Sequence, residues 1–191
     1  MGSNFSKPYQ SQLIKAQGFA VPETLVTNDP DLVRELWREH KCVIYKSTSS
    51  VRSIVRTSGE EDLERLDNIL WCPTQFQRFV EGINMRVHTV GKTVYASTIV
   101  TDATDYRYAH CQGSSIEMYG IDLPKELAER CVRLADTLEL PLSGIDLKVD
   151  ARNCAYCLEV NPSPAFSYYE EQTGQPISQA LALYLAGSRP H

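Results

Sequence analysis

The 191-residue chain contains no apolar run approaching the roughly 20 residues that cross a bilayer, which argues against a membrane protein. It also lacks any surplus of positive charge. Its 19 Lys+Arg are dispersed among 24 Asp+Glu for a net charge of −5, and without a basic face broad nucleic-acid binding is disfavoured. Nothing resembles a secretory signal, and a chain with this much core does not need its 6 cysteines for disulfides, so a cytoplasmic setting is the simpler reading. There is no Walker loop and no Gly-x-Ser-x-Gly elbow, which removes the P-loop and α/β-hydrolase chemistries. His88, His110 and Cys111 show neither zinc-ligand spacing nor a third orienting group. Cys154 and Cys157 form a CxxC only on paper, because three residues apart on a strand they face opposite ways.

What is present is an ordinary globular composition, 42% hydrophobic, with alternating helix and strand signals and no internal repeat. The pattern predicts a helix from Ser6 to Gln17, extended chain from Phe19 to Val26, and a second helix from Asp29 to His40 capped by Asn28. A strand at Cys42 to Lys46, a polar loop at Ser47 to Ser53 and a strand at Ile54 to Arg56 read as a hairpin with a mobile tip. Glu60 to Leu70 reads as helix and Thr74 to Val80 as extended chain. Glu81-Gly82 breaks the pattern, placing a boundary between a first lobe, 1–80, and a second, 81–191. Beyond it come a hairpin turning at Gly91-Lys92, a strand at Tyr106 to Tyr108, an amphipathic helix from Pro124 to Glu139, a further hairpin, a Pro- and Tyr-rich loop and a last helix from Pro176 to Ala186. Helices and strands joined mainly by hairpins indicate an α+β fold.

The late hairpin carries the chemistry. Gly144-Ile-Asp-Leu-Lys-Val-Asp150 and Cys154-Ala-Tyr-Cys-Leu-Glu-Val-Asn-Pro162 each alternate, with Ile145, Leu147, Val149, Leu158 and Val160 on one face and Asp146, Lys148, Glu159 and Asn161 on the other. A two-residue turn at Arg152-Asn153 would pair Ala151 with Cys154 and set Asp146 directly opposite Glu159. Facing carboxylates repel unless a cation lies between them, and Asn161 adds a third oxygen on that face, a donor set suited to Mg²⁺.

Gly-Ile-Asp-Leu, a hairpin, then Leu-Glu-Val-Asn-Pro-Ser-Pro resembles the metal-binding end of the ATP-grasp ligases, in the branch holding the RimK-like glutamate ligases and the graspetide ligases. The resemblance runs from Ser6 to Ala186. It implies two α+β lobes with mainly antiparallel sheets clasping a nucleotide, and ATP-dependent carboxylate–amine ligation through an acylphosphate, acting on a peptide or amino acid. It implies metal ligation by Asp146, Glu159 and Asn161, with Mg²⁺ or a substituting Mn²⁺. Lys7 and Lys46 match the lysines that reach the phosphates, and Arg52 stands in a loop that is glycine-rich in relatives but has no glycine here between Ser47 and Ser58. Gln77, Arg78, Phe79 and Val80 match the adenine hinge, with backbone contacts from Arg78 and Val80, and Asn84 takes the ribose position. Arg107 matches an arginine facing the reacting phosphate, so that it and Lys46 are the catalytic candidates, while Arg86 lines the same side of its hairpin. Relatives usually carry a further N-terminal domain. Its absence here implies an excised core, or a short form that completes its acceptor site with a partner chain or a second copy. The rival reading is a non-catalytic ATP/Mg²⁺-binding module or scaffold.

Overall fold

The computed structural model describes residues 7–46, 56–57, 60–101 and 116–187. Asp29 opens the best-defined helix: its carboxylate accepts the backbone N–H of Asp31, and Pro30 with its fixed φ begins the first turn. Asp29 therefore caps this helix in place of Asn28, whose side chain donates instead to Leu70 O at 3.2 Å.

In chain order the elements are α1 (Lys7–Ala16), β1 (Thr24–Thr27), α2 (Pro30–His40), β2 (Val43–Lys46), β3 (Arg56–Thr57), α3 (Glu60–Glu64), a 3-10 helix (Leu66–Trp71), β4 (Thr74–Arg78), β5 (Ile83–Val90), β6 (Thr93–Val100), β7 (Glu117–Ile121), α4 (Lys125–Thr137), β8 (Leu142–Val149), β9 (Ala155–Asn161), α5 (Phe166–Thr173) and α6 (Ile177–Leu185). Both sheets are antiparallel throughout, one ordered β1-β4-β2-β3 and the other β7-β6-β5-β8-β9, which makes the chain α+β.

The described residues divide into two compact units, one of them holding residues up to Val21, Glu81–Val100 and everything from Ile116, the other Pro22–Val80 with Thr101. The N-terminal residues thus leave the lobe that the sequence boundary of 1–80 assigned them to. The cause is α1, whose Ile14 is buried in the core of the larger unit with Phe19, Val87, Ala96, Cys131, Leu134, Ile145, Leu147, Cys157 and Val160. This core lies on one face of the five-stranded sheet, beneath the apolar stripe of α4. The smaller unit has its own core of Val33, Leu36, Val43, Leu66 and Phe76.

Edge strand β9 is closed without a further strand. The Gln10 side chain donates to Val160 O at 2.8 Å and accepts from Val160 N at 3.0 Å, and Ala20 O accepts from Cys157 N at 2.9 Å. These bonds satisfy groups that would otherwise be open for pairing with another chain.

Two local expectations are corrected. The segment read as a helix from Glu60 to Leu70 breaks after Glu64 and continues as a tighter 3-10 turn. The Pro- and Tyr-rich stretch is not all loop: α5 runs from Phe166 to Thr173 and stops at Gly174, whose φ of 70° suits glycine. Tyr is an indifferent helix former, so packing decides here, with Tyr169 buried against the sheet. Strand β7 carries no strong alternation in its sequence and is held by pairing to β6. The expected strand at Tyr106 to Tyr108 and the expected mobile loop at Ser47 to Ser53 lie outside the described residues.

Candidate metal centre and nucleotide-binding residues

The turn of the β8–β9 hairpin differs from the expected one. A two-residue turn of the type that matches strand twist would demand positive φ at both central residues, which Arg152 resists. The chain instead forms a three-residue loop, Ala151-Arg152-Asn153, in which Asn153 alone takes positive φ, 59°. Asp150 braces it, accepting the N–H of Arg152 at 2.9 Å and of Cys154 at 2.8 Å. Near the turn Val149 therefore pairs with Ala155, one residue out of the expected register.

A β-bulge corrects the offset. Leu147 pairs with Cys157 while Asp146 pairs with Glu159, leaving Leu158 as the extra residue on β9. Beyond the bulge the expected register holds, with Asp146 opposite Glu159 and Gly144 opposite Asn161. The face assignments shift accordingly: Cys157, fully buried, joins Ile145, Leu147 and Val160 in the core, whereas Leu158 stays only partly buried. Burial pushes the Cys157 thiol well up, so it is held as a neutral core side chain.

The face carrying the acids continues across the sheet. Directly paired residues run Gly120, Ser97, Arg86, Asp146, Glu159 from β7 to β9, and the neighbouring rank runs Tyr95, His88, Gly144, Asn161. Arg86 is 5% exposed and donates through Nη1 to Asp146 Oδ1 at 2.7 Å. Facing carboxylates need a cation between them, and the fold already sets a guanidinium against one of the two.

Arg86 is closely held. Its Nε points at His88 Nε2, 3.5 Å away, and its guanidinium carbon lies 5.5 Å from the centre of the Tyr169 ring. Gly144 has no room for a side chain, since a Cβ there would fall within 2.7 Å of Pro164 Cβ and closer still to the Arg86 guanidinium. His88 is fully buried, with its ring edge-on to Tyr169 at 4.8 Å. Burial first, and the Arg86 charge second, pull this imidazole down to about 3, with Asp146 pulling the other way. A neutral His88 that accepts at Nε2 carries its proton on Nδ1, which has no hydrogen-bond partner.

The donor set fits a hard divalent cation. Asp146 and Glu159 face each other, and Asn161 stands two residues along on the same side, all offering oxygen. Asn161 Oδ1 accepts the Ser163 N–H at 2.8 Å, which fixes the amide and leaves that oxygen a second lone pair. Lys148, 8% exposed, shares this face between Asn84 and Tyr156. Neither Lys148 nor His88 was assigned a role in the sequence reading. The available signal was their two-residue spacing from Asp146 and Arg86, which puts each on the same face as its neighbour.

In the smaller unit, backbone register puts Lys46 opposite Gln75 and Ile44 opposite Gln77, so Gln77 lies on the face turned away from Phe76 and its core. The buried Gln77 donates to Thr24 Oγ1 at 2.8 Å. Arg78 gives its N–H to Glu23 O at 2.8 Å and Phe79 gives its own to Cys42 O at 3.0 Å, so these donors are engaged within the unit. Val80 is buried. Lys7 begins α1, whose neighbour Gln10 grips β9 next to Glu159 and Asn161. Arg52 and Arg107 lie outside the described residues. Among the described residues Glu23, Glu39 and His40 also come within metal-ligating distance of one another, on the other unit and largely exposed.

Comparison with known proteins bears on this arrangement. The model of the RimK-like ATP-grasp domain matches residues 7–185. A probable alpha-L-glutamate ligase of Xanthomonas oryzae pv. oryzae is 26% identical over 189 residues, covering 93% of this chain and 63% of its own. Among solved structures, the ATP-grasp ligase PsnB, complexed with a phosphomimetic variant of its minimal precursor, Mg and ADP, is 30% identical with a TM-score of 0.82, covering 96% of this chain and 59% of that one. A RiPP-associated ATP-grasp ligase of Chryseobacterium gregarium, in complex with ADP and a leader and core peptide, is 26% identical with a TM-score of 0.84 over 98% of this chain and 61% of its own. This chain thus spans about three fifths of the length of these relatives. The family model takes in both sheets and the whole Asp146, Glu159 and Asn161 face, and the chain belongs to the RimK-like ATP-grasp family.

Proposed function

We propose that this chain carries the nucleotide and metal face of an ATP-dependent carboxylate–amine ligase that acts on a peptide or amino acid. The observation that carries the reading is the register of β8 and β9, which sets Asp146 against Glu159 with Asn161 on the same face, in a family whose members are ligases. These three residues would hold Mg²⁺, with Mn²⁺ as a substitute; when bound, the ion neutralises phosphate charge. Lys7, Lys46, Arg52 and Arg107 are assigned to the phosphates, the backbones of Arg78 and Val80 to adenine, and Asn84 to the ribose.

The chemistry asks little covalent work of the protein. A substrate carboxylate attacks the γ-phosphoryl group, giving an acylphosphate and ADP; an amine then attacks the acyl carbon, and phosphate leaves as the amide forms. Charge neutralisation and in-line positioning by the cationic side chains supply the catalysis. The acceptor side is completed by a further domain, a partner chain or a second copy. Cys42, Cys72, Cys131, Cys154 and Cys157 form no disulfide, which supports a cytoplasmic setting, and no helix among the described residues is long and apolar enough to cross a membrane.

Calorimetry on the Asp146→Asn, Glu159→Gln double variant tests the site: Mg²⁺-dependent ADP binding is expected to weaken at least about tenfold with the fold intact. Wild-type affinity in that variant rejects the metal assignment. Measuring ADP release with and without peptide acceptors then separates a ligase from a binding module that does not turn over.

A further inference from the structure

A buried arginine is costly unless its charge is matched, and Arg86 is among the least exposed polar residues of its unit. It cannot shed its proton, so it delivers a permanent positive charge to Asp146, one of the three proposed metal ligands. Its position is built rather than incidental. Cross-strand register aims it at Asp146, His88 receives its Nε, Tyr169 covers the guanidinium, and the missing side chain of Gly144 makes the space it fills.

We infer that Arg86 is a built-in counter-cation that sets the metal affinity of this face, so that a bare divalent ion binds weakly and binds well only in company with nucleotide phosphates. The inference rests on the metal reading of Asp146, Glu159 and Asn161 given above. Together with Arg86 the two acids carry one net negative charge rather than two, and divalent affinity follows the charge of the ligand set. One oxygen of Asp146 is also occupied by Nη1, so the ion must share that carboxylate or displace the guanidinium. Phosphate oxygens alter the balance twice. They add negative charge around the ion, and they offer the displaced fork a partner of matching geometry. The metal would therefore enter as the metal–nucleotide complex.

Mn²⁺ without nucleotide is the probe, with free ion read by electron paramagnetic resonance. Arg86→Met keeps the bulk of the stem and removes the charge; it is expected to bind bare Mn²⁺ about tenfold more tightly than wild type, and the difference is expected to shrink when ADP is present. Bare-ion affinity that is unchanged or weaker in a folded Arg86→Met overturns the inference. Should that variant not fold, the wild-type protein answers directly through nitrogen-15 spectra of arginine side chains under Mg²⁺-ADP. The Arg86 guanidinium resonances are expected to shift as Mg²⁺-ADP is added, because the partner of Nη1 is shared or exchanged, and an unaltered signal at saturation overturns the inference. A further control separates the two readings. If the Asp146→Asn, Glu159→Gln variant binds Mn²⁺ as wild type does, the metal reading fails and this inference with it. If that variant loses Mn²⁺ while Arg86→Met matches wild type, only the counter-cation role fails.

Discussion

The side-chain amide of Gln10, on α1, makes both a donated and an accepted hydrogen bond with the backbone of Val160, at 2.8 and 3.0 Å, 150 residues away in the chain. The amide acts as a one-residue strand, occupying the edge of β9 between the proposed ligands Glu159 and Asn161. Replacing Gln10 with Leu leaves a buried N–H and C=O without partners and is expected to cost about 1–3 kcal/mol. Urea denaturation checks it, and a midpoint equal to wild type would show the amide to be dispensable.

Gly144 is required by the space above it. In Gly144→Ala the new methyl must displace the Arg86 guanidinium or the Pro164 ring, at an expected cost of about 1–3 kcal/mol. Arg86 shares the strain, so the same change made in an Arg86→Ala background is expected to cost less. A double-mutant cycle from thermal or urea unfolding measures the coupling, and strict additivity would place the two groups apart in solution.

His88 makes stability depend on pH. Unfolded, its imidazole ionises near 6.5; folded, burial and then Arg86 hold it down to about 3. Between those values the unfolded chain binds a proton that the folded chain refuses, so stability rises with pH across the window and is lost as pH falls below 6.5. The slope from this one group approaches about 1.4 kcal/mol per pH unit at most. Unfolding free energies measured from pH 6.5 down to pH 5 should show it, and His88→Gln should flatten the curve; an identical slope in the variant assigns the effect to other groups.

The hairpin loop turns on Asn153, whose φ of 59° a β-branched residue tolerates poorly. Asn153→Val is expected to cost about 1–2 kcal/mol, and Asn153→Gly much less. Equal stabilities for the two variants, from thermal unfolding, would contradict the three-residue loop.

Much of the larger sheet was legible in the chain because strands announce themselves by local alternation. Thr93 to Val100 and Asn84 to Val90 meet across Gly91-Lys92 as the sequence indicates, with Val90 paired to Thr93 and Gly91 at a φ of 55°. The helix stripe of Cys131, Leu134 and Ala135 is likewise buried as its spacing requires. The less legible elements lack a local signal. Strand β7 depends on β6 for its pairing, and α5 depends on burying Tyr169 over His88.

By itself the sequence set Asp146 and Glu159 on the polar sides of two alternating runs, because a period of two settles the side within each run, and it expected their direct register from a turn that does not form. It also carried the family, since the Gly-Ile-Asp and Leu-Glu-Val-Asn-Pro strings are contiguous. Only the tertiary structure decided how that register is reached, through a loop one residue longer than expected and a bulge at Leu158 that restores it. Only it decided that Arg86, 60 residues before Asp146, supplies the first counter-charge to the acids. The reason is physical: alternation is a property of neighbouring residues, whereas the charge a carboxylate meets depends on which distant strand the sheet places beside it.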